Sequence, residues 1–86
     1  MTDAELRRLI IDWLDDQYHF GDAEALIRDD EQSFLETGVL TSLGFVQLVL
    51  FLEDTLKLRI DRGALTRENF DGMGRILRHL RPMLAG

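Results

Sequence analysis

No cysteine occurs in the 86 residues, which excludes disulfides, thiolate metal sites and a thiol nucleophile together. Long apolar runs are missing too. The longest, Phe45 to Leu52, is interrupted by Gln47 and falls far short of the ~20 residues that a spanning helix needs. Membrane insertion is therefore not expected. The first residues mix charged and apolar side chains instead of forming the apolar stretch of a secretory signal, so a soluble, cytoplasmic chain is the expectation. A basic excess is also absent: ten Lys and Arg stand against sixteen Asp and Glu, a formal net charge of −6. Nucleic acid is not an expected partner, because phosphate neutralisation needs a basic surface. The length leaves room for one domain, residues 1–86. A domain this small buries only about 60% of its chain surface, which argues against a deep, water-excluding pocket. A binding or carrying role fits better than an enzyme, and a monomer is expected.

What is present is unevenly spread. Residues 1–54 hold 13 Asp and Glu against 3 Arg, and residues 55–86 hold 3 against 7 Lys and Arg. Either this is an ordinary solvated surface, or the N-terminal part offers an acidic face to basic partner proteins and speeds their encounter.

Helical periodicity dominates the pattern. Thr2 and Glu5 have the spacing of a capping box. Behind them Leu6, Leu9, Ile10, Trp13 and Leu14 recur as an apolar stripe, predicting a first helix over about 3–18 with Trp13 as a core anchor. From His19 to Leu40 no period is sustained. That segment reads as a long ordered loop pinned to the core by Leu26, Ile27, Phe34, Leu35, Val39 and Leu40. A second helix spans about 42–57, with Thr41 and Ser42 both suitable N-caps. Glu68-Asn69-Phe70 forms a short turn whose Phe70 plugs the core. Asp71 can cap a last helix carrying Met73, Ile76, Leu77 and Leu80, which should end near Arg81 because Pro82 cannot continue it. The expected fold is all-α: a small helical bundle of three main helices plus one short one.

The second helix separates into two faces. Phe45, Leu48, Val49, Leu52 and Leu56 form the core stripe, while Leu43, Gln47, Leu50 and Asp54 lie opposite, with Glu53 at the margin and Phe51 flanking. Single exposed leucines are ordinary. Two of them either side of Gln47, just beyond a serine, read as a docking strip.

Gly38-Val39-Leu40-Thr41-Ser42-Leu43-Gly44-Phe45-Val46-Gln47-Leu48 resembles the attachment motif of acyl carrier proteins. Leu52 to Leu56 and Ile60-Asp61 continue the resemblance, and Glu68-Asn69-Phe70-Asp71 is similar to the short third helix and following cap of standalone carriers. The Gly and Gln at 44 and 47 are especially similar to the D-alanyl and aminoacyl carrier branch. The likeness covers about residues 3–80 and is strongest over 34–60. It implies an acyl-carrier-like bundle in which Ser42 bears a covalent 4′-phosphopantetheine. The cargo that the resemblance implies is an acyl or aminoacyl thioester, in a specialised biosynthetic pathway. Implied partners are a phosphopantetheinyl transferase, a loading ligase and downstream acyl-processing enzymes, meeting the chain at Thr41, Leu43, Gln47, Leu50, Glu53 and Asp54. A hydroxyl at a helix N-terminus suits a phosphodiester, since that end favours negative charge. Gly44, costing about 1 kcal/mol relative to alanine within a helix, would let the arm or a partner approach closely.

One position departs from the motif. Thr41 stands where the family carries aspartate, keeping the capping oxygen but losing the charge that helps engage the transferase. The change implies less efficient modification or a different transferase without removing the nucleophilic oxygen, and it keeps open an alternative in which the chain is a carrier-like interaction module that is never modified. Other residues offer less. His19 and His79 read as surface or partly packed, Ser33 has no base beside it in sequence, and Asp29-Asp30-Glu31 lacks the ligand spacing of a calcium loop and reads as a solvated acidic turn. No catalytic constellation is apparent.

Overall fold

Thr2 and Glu5 start the first helix as their spacing predicts. Thr2 Oγ1 accepts from the Glu5 amide at 3.1 Å while Glu5 Oε1 accepts from the Thr2 amide at 2.9 Å. The computed structural model describes residues 1–84, and there the chain runs α1 (Asp3–Leu14), α2 (Ala23–Leu26), α3 (Phe34–Thr37), α4 (Ser42–Leu56), α5 (Arg67–Phe70) and α6 (Met73–Leu84). No strand occurs among the described residues. The small all-helical bundle holds, with α1, α4 and α6 as its long members.

Leu6, Ile10 and Leu14 of α1, Leu48, Val49 and Leu52 of α4, and Met73, Ile76, Leu77 and Leu80 of α6 fill one core. Phe34 and Phe70 plug it from the short helices, and Ile11 joins it as a residue that the stripe alone did not single out. Phe45 and Leu56 pack at its edge, as do Leu9 and Trp13. Trp13 stacks on Phe51 at 5.5 Å and meets Tyr18 edge-on at 5.7 Å. It joins α1 to α4 at the rim.

The first helix does not continue regularly to residue 18. Asp15–His19 forms a π turn, in which the Phe20 amide reaches back to the Asp15 carbonyl at 2.8 Å. The wider turn re-aims Tyr18 and His19, and Phe20 ends it in the left-handed region at φ 50°. The predicted loop from His19 to Leu40 is ordered but contains two single-turn helices. Asp15 Oδ1 accepts the Ala23 amide at 2.8 Å and so caps α2 from eight residues away. Ile27, Phe34, Val39 and Leu40 are buried pins as expected, but Leu26 is exposed.

Asp71 does not cap the helix that follows it. Its carboxylate is fully buried and accepts hydrogen bonds from the Ser33 hydroxyl, from the Leu35 amide at 2.9 Å and from Arg67 at 3.1 and 3.2 Å. It therefore caps α3, together with Ser33, whose Oγ accepts the Glu36 amide at 3.0 Å. The start of α6 is served by backbone: the Gly74 amide donates to the Asp30 carbonyl at 2.8 Å. A Cβ on Gly74 would lie 2.9 Å from that oxygen, and one on Gly72, at φ 148°, 2.7 Å from the Gln32 carbonyl. The α6 helix also outlasts its expected end, running to Leu84 with Pro82 inside its last turn. Both Pro82 and Arg78, four residues back, are exposed, so the carbonyl deprived of a donor can be hydrated instead.

Candidate functional site

Thr41, with extended backbone, is the N-cap of α4, and its hydroxyl oxygen accepts the Gly44 amide at 3.1 Å. Ser42 is the first helical residue and is exposed. Two good capping residues stand side by side in the sequence, and the structure gives the capping duty to the threonine. The Ser42 hydroxyl is left at the helix start, where the positive end of the dipole faces solvent. The α4 helix is 15 residues long, enough for that field to be developed.

Below Ser42 the predicted strip faces outward. Leu43 is 68% exposed and Leu50 58%, and Val46, at 52%, lies between them. Val46 follows Leu43 by three residues and precedes Leu50 by four, so the helical period itself places it on that face. Phe45, Val46, Val49, Leu50 and Glu53 line a groove of about 220 Å³ closed on its far side by Leu65. Leu65 follows the 3-10 turn Arg62–Ala64, and no local pattern in the sequence marks it.

The polar members of the predicted set divide. Gln47 and Asp54 are exposed, but Gln47 Oε1 accepts a hydrogen bond from the Tyr18 hydroxyl. Glu53 is half-buried, and its Oε2 accepts the Ile60 amide at 2.8 Å, tying the exit of α4 back onto the helix. Asp54 alone of the two acids has no structural partner among the described residues.

Gly44 corrects an expectation. It is buried, and a Cβ there would meet Leu40 Cδ2 at 3.1 Å and the Tyr18 hydroxyl at 3.2 Å. The close neighbours it admits are side chains of this chain, not an arm or a partner. Tyr18 is delivered there by the π turn, and the adjacent His19 donates through Nε2 to the Val39 carbonyl at 2.7 Å, pinning the segment that leads into Ser42.

The acidic turn at 29–31 is not simply solvated. Asp30 pairs with Arg7, Glu31 with Arg78 at 2.6 and 3.0 Å, and Asp29 Oδ1 accepts the Glu31 amide at 2.9 Å. Arg78 holds the Glu31 carboxyl below the usual range. Around Asp71, burial raises the pKa, but hydrogen bonds from Ser33, Leu35 and Arg67 outweigh it and hold the group below its ordinary value. Ser33 does have a carboxylate beside it, yet its hydroxyl is spent on the α3 cap and on Asp71. No helix among the described residues is long and apolar enough to cross a membrane. Comparison with known families, curated proteins and solved structures finds no match for this chain.

Proposed function

We propose that the chain is a single-domain carrier that holds an acyl or aminoacyl group on a 4′-phosphopantetheine arm attached to Ser42, and that it works in the cytoplasm without catalysing a reaction itself. The observation that carries the reading is the division of labour at the start of α4. Thr41 supplies the cap, so the exposed Ser42 hydroxyl is available for chemistry without cost to the helix.

These residues fit the arm. Ser42 Oγ forms the phosphodiester bond as coenzyme A gives up its adenosine bisphosphate, and the hydroxyl proton passes to the transferase. The bound arm supplies a terminal thiol that carries cargo as a thioester. The helix N-terminus stabilises the phosphodiester charge, and Leu43, Val46 and Leu50 give the transferase, the loading ligase and acyl-processing enzymes an apolar surface beside the attachment point. The core and the Tyr18–Gln47 bond hold that surface in a fixed relation to Ser42.

The test is incubation with coenzyme A and a broad-specificity transferase, followed by intact mass. The wild type gains one arm and Ser42→Ala gains none. Thr41 favours a second reading, an unmodified interaction module, because no carboxylate precedes the serine. A wild type left unmodified by several unrelated transferases decides for that module.

A further inference from the structure

The π turn Asp15–His19 sends two adjacent side chains to chain on both sides of Ser42. His19 Nε2 donates to the Val39 carbonyl at 2.7 Å, three residues before the serine. The Tyr18 hydroxyl donates to Gln47 Oε1, five residues after it, and lies 3.2 Å from where a Cβ on Gly44 would stand. The turn ends in strained backbone. Phe20 closes it at φ 50°, an outlier for a bulky residue, and its side chain is 86% exposed, so no burial of the ring offsets the conformation. Such backbone persists where surrounding contacts over-determine it, and here those contacts include the ones made by Tyr18 and His19.

The two contacts fix different parts of the attachment site. A carbonyl only accepts, so the Val39 bond needs the proton on His19 Nε2. The Leu40 amide, in the same peptide plane, donates to the Phe34 carbonyl at 3.1 Å. That plane is therefore held at both its polar groups, and it sets the direction in which the chain reaches the Thr41 cap and Ser42. On the other side, the Tyr18 ring meets Trp13 edge-on and Trp13 stacks on Phe51 of α4. The hydroxyl thus reaches Gln47 from a ring braced on the rim of the core. Val39 and Leu40 are buried through their own side chains, so loss of the imidazole loosens the plane without releasing the segment.

We propose that Tyr18 and His19 are positioning residues for arm transfer to Ser42. They act through Val39 and Gln47, holding the start of α4 so that Ser42 Oγ meets coenzyme A in one orientation. The proposal rests on the carrier reading of Ser42. Orientation of a nucleophile counts in the transition state, where a misplacement of about 1 Å costs up to about a hundredfold in rate. Leu43, Val46 and Leu50 take no part in either contact, so the surface offered to the transferase is kept when the contacts are lost. The loss therefore falls on kcat and leaves KM nearly unchanged.

The test compares the full chain with its His19→Ala, His19→Gln and Tyr18→Phe variants, using coenzyme A and a broad-specificity transferase. His19→Ala should lower kcat by about tenfold or more with KM nearly unchanged, and Tyr18→Phe, which keeps the ring on Trp13, should act in the same direction. His19→Gln, whose amide nitrogen can stand in the place of Nε2, should recover most of the loss. Helical circular dichroism should be unchanged in all three. In the isotopically labelled chains, before any arm is attached, amide order parameters of Leu40, Ser42 and Leu43 should fall in His19→Ala from about 0.85 towards about 0.6, while those of Leu48 and Leu52 hold. A rise in KM at unchanged kcat would make the two side chains transferase contacts and overturns the proposal. An unchanged kcat in either variant, a loss that His19→Gln does not recover, or order parameters that do not move also overturn it. A wild type that takes no arm counts against the carrier reading alone, and the order parameters then decide the positioning role by themselves.

Discussion

Thr41 and Ser42 show how far a residue's type determines its duty. Both are good caps, and only the backbone decides which one caps. Aspartate at 41 would cap equally well and would add the charge that the attachment motif normally carries. Thr41→Asp is therefore expected to leave the melting temperature nearly unchanged and to raise the initial rate of arm transfer by a transferase that expects the acid. An equal or lower rate contradicts that account of the departure. Gly74 makes a different point. Glycine inside a helix ordinarily costs about 1 kcal/mol relative to alanine, so Gly74→Ala would be a stabilising change on propensity alone. Here the added methyl would sit 2.9 Å from the Asp30 carbonyl oxygen, which is backbone and also accepts the Gly74 amide. The expected result is a loss of about 1–3 kcal/mol in denaturant unfolding, the usual range for forced overpacking. Neither this contact nor the bonds from Asp71 to Ser33 and Leu35 was legible in the sequence. Local rules point Asp71 at the next helix, whereas Leu35 and Ser33 lie 36 and 38 residues away.

The elements whose apolar residues repeat over several turns were the legible ones. In α4 the period separates Leu48, Val49 and Leu52 from Leu43 and Leu50, and burial follows it. Leu50→Ala should shift stability by no more than about 0.5 kcal/mol, and Leu52→Ala should cost about 2–5. Loading by the partner enzyme should respond in the opposite order, Leu50→Ala weakening it while melting stays near that of the wild type. Melting curves that fall equally for both variants would mean that Leu50 serves the core. The π turn and the single-turn helices α2 and α3 escaped the same reading for a physical reason. One turn is too short to display a period, and a π turn displaces the pattern by a single residue. What fixes them is nonlocal, such as Asp15 capping α2, Tyr18 reaching Gly44 and Gln47, and Asp71 capping α3.

Across the whole molecule, the acidic excess is largely occupied. The loop between α2 and α3 is held to α1 and α6 by Arg7–Asp30 and Arg78–Glu31, and Arg81–Asp3 joins the two outer helices. These pairs are exposed or only partly buried and are screened by solvent, so their main effect is to fix the positions of α1, α6 and the loop. Hydrogen bonds from Arg81 hold Asp3, and from Arg78 Glu31, below their usual ranges, and Asp71 is also held low. A carboxylate whose pKa is lowered by folding stabilises the fold above its unfolded value, and that contribution is lost as pH falls through the folded one. With ordinary values of 3.8 for the aspartates and 4.5 for Glu31, the melting temperature should begin to fall near about pH 5 and decline progressively below it. Asp71→Asn should cost about 2 kcal/mol at neutral pH, as for loss of hydrogen bonds to a charged group, and should flatten the acid limb. A wild type that already loses stability between about pH 6 and 5 would contradict this, because none of these carboxylates titrates there.

Ser42 carries the central claim, and peptide mapping reaches it directly. No Lys or Arg lies between Arg28 and Lys57, so trypsin releases residues 29–57 as one fragment containing Ser33, Thr37, Thr41, Ser42 and Thr55. After incubation with coenzyme A and a broad-specificity transferase, fragmentation of that peptide should place a single phosphopantetheine on Ser42. An unmodified peptide, or an arm on any of the other four hydroxyls, would contradict the account.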